Sequence, residues 1–221
     1  MTTAPPSASC TILQDVETYY TARAQRYGAT ALGVDWNSPM TQRLRFVQLL
    51  KVVDWAAPAL SLHDLGCGYG ALLEHIADRH ADVDIQYVGT DISDTMIRLA
   101  RRRWKKASHA RFALAGTSPP EADYTVASGI FNVCLGHPQL EWERYVTDTL
   151  DAIRTASRRG FAVNFMRPEV LVARPDARGQ LYAVDATRWV EHCRDVLRCE
   201  VQVVTNYGLP EFTILAKNSD T

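Results

Sequence analysis

Three glycines, Gly66, Gly68 and Gly70, fall within five residues in the stretch LHDLGCGYGALL, between an apolar run and a helix-like segment. Glycine there lets the chain turn tightly, so that backbone N–H groups and the positive end of the following helix can approach a polar ligand. Asp64 directly precedes the loop, and a carboxylate at that point suits an ammonium group better than a pyrophosphate. Asp91 closes the segment YVGTD, about twenty residues further on, where an acid hydrogen-bonds both hydroxyls of a ribose. These residue types at this spacing imply a nucleotide-like ligand with an amino-acid end.

Such residues need a strand, a loop and a helix to carry them. ALSLHDL (59–65) is short and apolar and runs into glycine, which predicts a buried strand, and GALLEHIADRH (70–80) has helical spacing. IQYVGTDI (85–92) predicts a second strand, and SDTMIRLARRRWKK (93–106) a helix capped by Ser93. The alternation continues with strands at 111–116 and 123–131, a helix at 140–157, a strand at 160–166 and a helix at 186–197. The last two strands, 200–207 and 211–217, are joined by too few residues for a parallel crossover, so they must be antiparallel neighbours. Ahead of the sheet, residues 11–27 predict a helix with an aromatic face, and Ser38 with Pro39 opens a second helix ending near Trp55. The expected organisation is a flexible tail over 1–10, a helical cap over 11–56 and an α/β core over 57–221.

Taken alone, the loop does not separate a nicotinamide cofactor from S-adenosylmethionine (SAM), since Gly66, Gly68 and Ala71 also fit the dinucleotide pattern G-x-G-x-x-A. Asp64, Asp91 and the closing antiparallel pair favour SAM. Together they resemble the class I SAM-dependent methyltransferases over nearly the whole chain. LHDLGCGYGALL, YVGTDIS, ADYTVASGIFNVCLG, RRGFAVNFM and YGLPEFTILAK are similar to a bacterial subgroup of small methyltransferase-like proteins. The resemblance implies a Rossmann-like, seven-stranded, mostly parallel sheet ending in an antiparallel hairpin strand. It also implies that Asp64, Gly66, Gly68 and Gly70 cradle the methionyl end, that Asp91 and Ile92 hold ribose and the adenine edge, and that Gly116 and Thr117 flank the adenine. Many members carry an acid or amide after the third strand for the adenine amine. This chain has AGTSPPEAD there, which points to a main-chain contact instead.

In this fold the reacting group lies beyond the fourth strand, so Ser128 to Asn132 should face the methyl donor. Neither the N/D-P-P-aromatic signature of base or amide methylation nor a catalytic Pro-Cys pair occurs there. Asn132 offers an amide that orients an acceptor or caps a turn. Tyr19, Tyr20 and Tyr27 on the first helix could meet a sulfonium by cation–π attraction, with one of them expected at the site, and Arg43 or Arg45 could hold the methionyl carboxylate. Residues 168–185 are long enough to form a lid, from which Tyr182 would reach the reacting centre. His137 is the histidine nearest this edge and reads more simply as a bystander than as a base.

A formal net charge of −1, from 24 Lys and Arg against 25 Asp and Glu, gives no chain-wide pull toward nucleic acid. Five cysteines without a C-x-x-C pair support neither a disulfide framework nor a zinc site, and no apolar run is long enough to span a membrane. The sequence therefore predicts a cytoplasmic enzyme that uses SAM to methylate a small molecule, with no metal, nucleic-acid or membrane partner. Two alternatives stand beside it. The subgroup is also similar to azetidine-2-carboxylate synthases, in which SAM cyclises on its own amine and releases methylthioadenosine, and Asn132, Tyr20 and Tyr182 are residue types suited to that. The other is a SAM-binding protein without turnover.

Overall fold

The computed structural model describes residues 8–116 and 118–219. Two helices come first, α1 over Ala8–Tyr27 and α2 over Pro39–Leu49. The Ser38 hydroxyl accepts the Thr41 N–H at 3.2 Å, so the cap and proline signal works as the sequence suggests. The core then runs β1 Ala59–Leu65, α3 Ala71–Arg79, β2 Asp84–Asp91, α4 Asp94–Arg103, β3 Ala110–Leu114, β4 Ala122–Ala127 and α5 Gln139–Ala156. It closes with β5 Ser157–Met166, α6 Glu169–Ala173, α7 Ala186–Glu191, β6 Cys199–Val204 and β7 Glu211–Asn218.

The seven strands form one sheet in the order β3-β2-β1-β4-β5-β7-β6. Strands β1 to β5 are parallel, and β7 lies antiparallel to both β5 and β6, so the short closing connection does force antiparallel neighbours. This is the Rossmann-like, mostly parallel sheet expected from the sequence. The strand order reverses between β1 and β4, which opens a crevice at their C-terminal ends. One face of the sheet packs Phe46, Leu72 and Ile97 from α2, α3 and α4; the other packs Val16, Trp142, Val146 and Trp189 from α1, α5 and α7. Burying each such side chain is worth about 1.5–3 kcal/mol. Among the described residues no helix is long and apolar enough to cross a membrane.

Element ends differ from the sequence reading for local reasons. Helix α2 stops at Leu49 and tightens into a 3-10 turn over Leu50–Val52, and α7 gives way to a π turn over His192–Val196. Ser157 starts β5 instead of ending α5, because its hydroxyl both donates to the Ile153 carbonyl at 2.7 Å and bonds Thr125 Oγ1 of β4 at 2.9 Å. The stretch expected to be a lid is pinned to the body. Leu181 bridges Val133, Ala183 bridges Met166, and the Tyr182 N–H donates to the Asn132 carbonyl at 2.9 Å.

A buried ion pair ties α2 to the start of β7. Arg45 Nε donates to both carboxylate oxygens of Glu211 at 3.0 Å, and its Nη1 donates to the Thr41 carbonyl at 2.9 Å. The Asn164 amide donates to Glu211 at 2.7 Å and accepts the Gly129 N–H at 2.7 Å, which carries the link into the loop after β4. Removing one partner leaves the other charge buried and unpaired.

Two stability predictions follow from these contacts. Glu211→Ala is expected to cost about 3–5 kcal/mol in urea unfolding, and a cost below about 1 kcal/mol, the range of exposed pairs, would show the pair to be effectively solvated. At Gly160 an added Cβ would meet the Ala216 carbonyl oxygen at 2.5 Å, wedging β5 from β7. Gly160→Ala should therefore lose about 1–3 kcal/mol, and an unchanged unfolding midpoint would contradict this close approach.

Candidate functional site

A cavity of about 420 Å³ opens at the C-terminal ends of β1, β2 and β4, where the strand order reverses. The glycine loop forms its floor. Gly66 and Gly68 both have positive φ, +75° and +54°, and a Cβ on them would meet Ile130 Cγ2 at 2.5 Å and Val34 Cγ1 at 2.8 Å. Only glycine lets this backbone lie against the cavity and against these two side chains at once. Gly70 does something else. It packs under Trp104, whose indole N–H donates to the Gly70 carbonyl at 2.9 Å, and it does not line the cavity.

Asp64 and Asp91 both line the cavity, 3% and 8% exposed. The Tyr87 hydroxyl donates to Asp64 at 2.5 Å. Burial, opposed by that bond and aided by the charge of Asp91, pushes the Asp64 carboxyl up to about 7. Asp91 accepts the Gly68 N–H on one oxygen and the Ser93 N–H on the other, each at 2.9 Å. Burial lifts it to about 6, opposed by those two bonds. A carboxylate has about four lone-pair sites, so Asp91 retains acceptor capacity for a diol. No Lys, Arg or His lines the cavity among the described residues, so a bound cation would be these carboxylates' first counter-charge.

The other expected residues divide between the cavity and its surroundings. Ile92, Gly116, Ser128 and Tyr20 line it, and Thr117 lies outside the described residues. The Ser128 hydroxyl is buried without a hydrogen-bond partner. Tyr19 turns away and donates to Asp35 at 2.7 Å. Arg45 is not available for a ligand carboxylate, because Glu211 occupies its fork behind the wall. Tyr182 lies outside the cavity, where its hydroxyl bonds Glu143 at 3.3 Å and accepts from the Trp189 indole N–H at 3.1 Å. Asn132 is 1% exposed, with neither side-chain atom partnered; it too is absent from the lining, although its Nδ2 comes within 3.3 Å of where a Cβ on Gly129 would sit. His137 pairs with Asp15 at 3.0 Å outside the cavity, as a bystander would.

Sequence reasoning missed Trp36. It sits in the loop between α1 and α2 and lines the cavity, with the Arg45 guanidinium 3.7 Å from its ring centroid. Its ring edge lies 2.5 Å from where a Gly129 Cβ would be, so a glycine is required after β4 as well. An irregular loop has no periodicity to signal such a residue. Tyr145, Asp148, Thr149 and Ala152 of α5 were also missed as lining. Their i, i+3, i+4, i+7 spacing marks one helix face, but the sequence does not say which way that face points.

Comparison with known proteins agrees with this architecture. Residues 63–160, which hold the glycine loop, both carboxylates and β4, match the family model described as a methyltransferase domain. Over 173 residues the chain is 40% identical to Rv1506c of Mycobacterium tuberculosis, a protein that carries a provisional methyltransferase name, with 77% of this chain and 99% of that protein aligned. Among solved structures, the fold is similar to magnesium protoporphyrin IX methyltransferase of Synechocystis PCC 6803 with bound S-adenosylhomocysteine (SAH). The TM-score is 0.64 at 16% identity, covering 93% of this chain and 99% of that one. Human N-acetylserotonin methyltransferase in complex with SAM gives a TM-score of 0.57 at 16% identity, covering 96% and 67%. With the reversed strand order and the glycine floor already in place, the 40% relative decides the assignment: this chain belongs to the class I SAM-dependent methyltransferase family.

Proposed function

We propose that the cavity binds SAM and that the chain directs its methyl group to a small-molecule acceptor. The observation that carries this reading is the pairing of a glycine floor with two buried carboxylates that lack a counter-charge. Asp64, raised to about 7, is suited to an α-ammonium, which would favour its ionised form. Asp91, with spare acceptor sites beside the loop, is suited to a ribose diol, and Ile92 and Gly116 to the adenine edge. Tyr20 and Trp36 offer aromatic faces to a cation, and Ser128 offers a hydroxyl with no internal partner.

When bound, SAM supplies a carbon already activated by sulfonium, so an acceptor lone pair forms the new bond as the carbon–sulfur pair returns to sulfur. The chain's own task is to hold the two in line and exclude water. Helix α1 lies over the cavity with Leu13, Val16 and Tyr20, and its Thr21 hydroxyl is 2.7 Å from Ser93 at the start of α4. Self-cyclisation of SAM would draw on Asn132, Tyr20 and Tyr182, of which Tyr20 lines the cavity and the other two do not; the likeness of the chain to methyltransferases favours methyl transfer, the reading retained.

Isothermal titration with SAH tests the cofactor directly. Wild type should bind, and Asp91→Ala should weaken binding roughly 10- to 100-fold through lost charge-assisted hydrogen bonds. Absence of binding by both SAM and SAH would overturn the assignment. For turnover, SAH should accumulate from SAM only when a suitable small-molecule acceptor is added. Methylthioadenosine formed from SAM alone would establish cyclisation instead, and tight SAM binding with no turnover across acceptor pools would favour a binding protein.

A further inference from the structure

The connection from β3 to β4, residues 115–121, is seven residues long and crosses the sheet with no helix among its described residues. Parallel strands are usually joined through a helix that covers the sheet face. Here the cavity extends from the end of β2 and this loop to helix α5. Tyr145, Asp148, Thr149 and Ala152 form the α5 part of its lining, and Pro119 and Pro120 the part from this loop. Asp148 is the one charged residue of the α5 part, and with Asp64 and Asp91 it makes three carboxylates along one cavity.

The inference rests on SAM as the ligand. SAM carries three donor-bearing groups: the α-ammonium, the ribose diol and the 6-amino group of adenine. The first two match the carboxylates beside the glycine loop and at the end of β2. The loop after β3, AGTSPPEAD, places no acid or amide before Glu121, and Glu121 does not line the cavity. We infer that α5 takes over recognition of the adenine amine: Asp148 accepts from the 6-amino group, and the purine ring lies between the apolar surfaces of Ile92, Pro119 and Tyr145. An ionised carboxylate accepts and cannot donate, so this arrangement selects 6-aminopurine over a 6-oxopurine, which would set oxygen against oxygen.

The test compares SAH with S-inosyl-L-homocysteine, its 6-oxo counterpart, by isothermal titration against wild type, Asp148→Asn and Asp148→Ala. Wild type should prefer SAH by about tenfold or more, since a polar site rejects a ligand that leaves its groups unpaired. Asp148→Ala should lose about fivefold in SAH affinity while binding of the inosyl compound holds or improves. Asp148→Asn should narrow the preference furthest, because its amide can turn to donate to a 6-oxo group. Asp148 is exposed, so both variants should keep the wild-type melting temperature. An unchanged preference in both variants would overturn this role for Asp148 while leaving the cofactor reading intact. Failure of SAH to bind wild type would overturn the cofactor reading itself, and this inference with it.

Discussion

Asp64 and Asp91 end neighbouring parallel strands almost fully buried, and among the described residues no cationic side chain lines the cavity with them. Moving a carboxylate out of water costs several kcal/mol unless opposite charge or hydrogen bonds offset it. Here the offsets are partial: one tyrosine hydroxyl for Asp64 and two backbone N–H groups for Asp91. The carboxyls consequently hold their protons to higher pH than usual. A ligand that brings a positive charge and hydroxyls to the strand ends completes a set of interactions the protein leaves open. The glycine floor follows from the same constraint, because the Gly68 N–H must reach Asp91 while its Cα lies against Val34.

The cations near the site are engaged elsewhere. Arg45 is held by Glu211 and stacks on Trp36, and Arg23 pairs with Asp35 at 2.9 Å. These contacts fix the loop between α1 and α2 as part of the cavity wall and keep positive side chains out of a space where a sulfonium would sit. Through Asn164 the Arg45–Glu211 pair also holds the N–H of Gly129, whose Cα faces the Trp36 ring edge. The wall beside the fourth strand is therefore positioned by a buried polar chain that crosses the sheet, and any acceptor must fit against it.

The strand and helix order, the antiparallel closing pair, the glycine loop and the two acids were legible in the sequence, because each leaves a local pattern of period, spacing or composition. The side chains lining the cavity were legible only in part: Tyr20, Ile92 and Ser128 line it as expected, and others do not. Asn132 and Tyr182 lie in the right segments, but a buried loop conformation and the hydrogen bonds of Tyr182 to Glu143 and Trp189 take them out of the cavity. Arg45 sits on the expected helix, yet Glu211, 166 residues away in sequence, claims its guanidinium. Trp36 and Asp148 enter by the converse route, through tertiary placement of a loop and of one helix face. Local spacing carries no information about such long-range partners.

The central claim is that a ligand ammonium supplies the missing counter-charge of Asp64, and proton linkage tests it most directly. In the ligand-free protein Asp64, at about 7, is mostly protonated at pH 6. Pairing with an ammonium favours the charged form, so the carboxyl must lose its proton as the ligand binds. Titrating SAH in buffers of different ionisation enthalpy should show net proton release at pH 6 that fades as the pH is raised past 7. Binding at pH 6 with no proton release, or with proton uptake, would contradict the account.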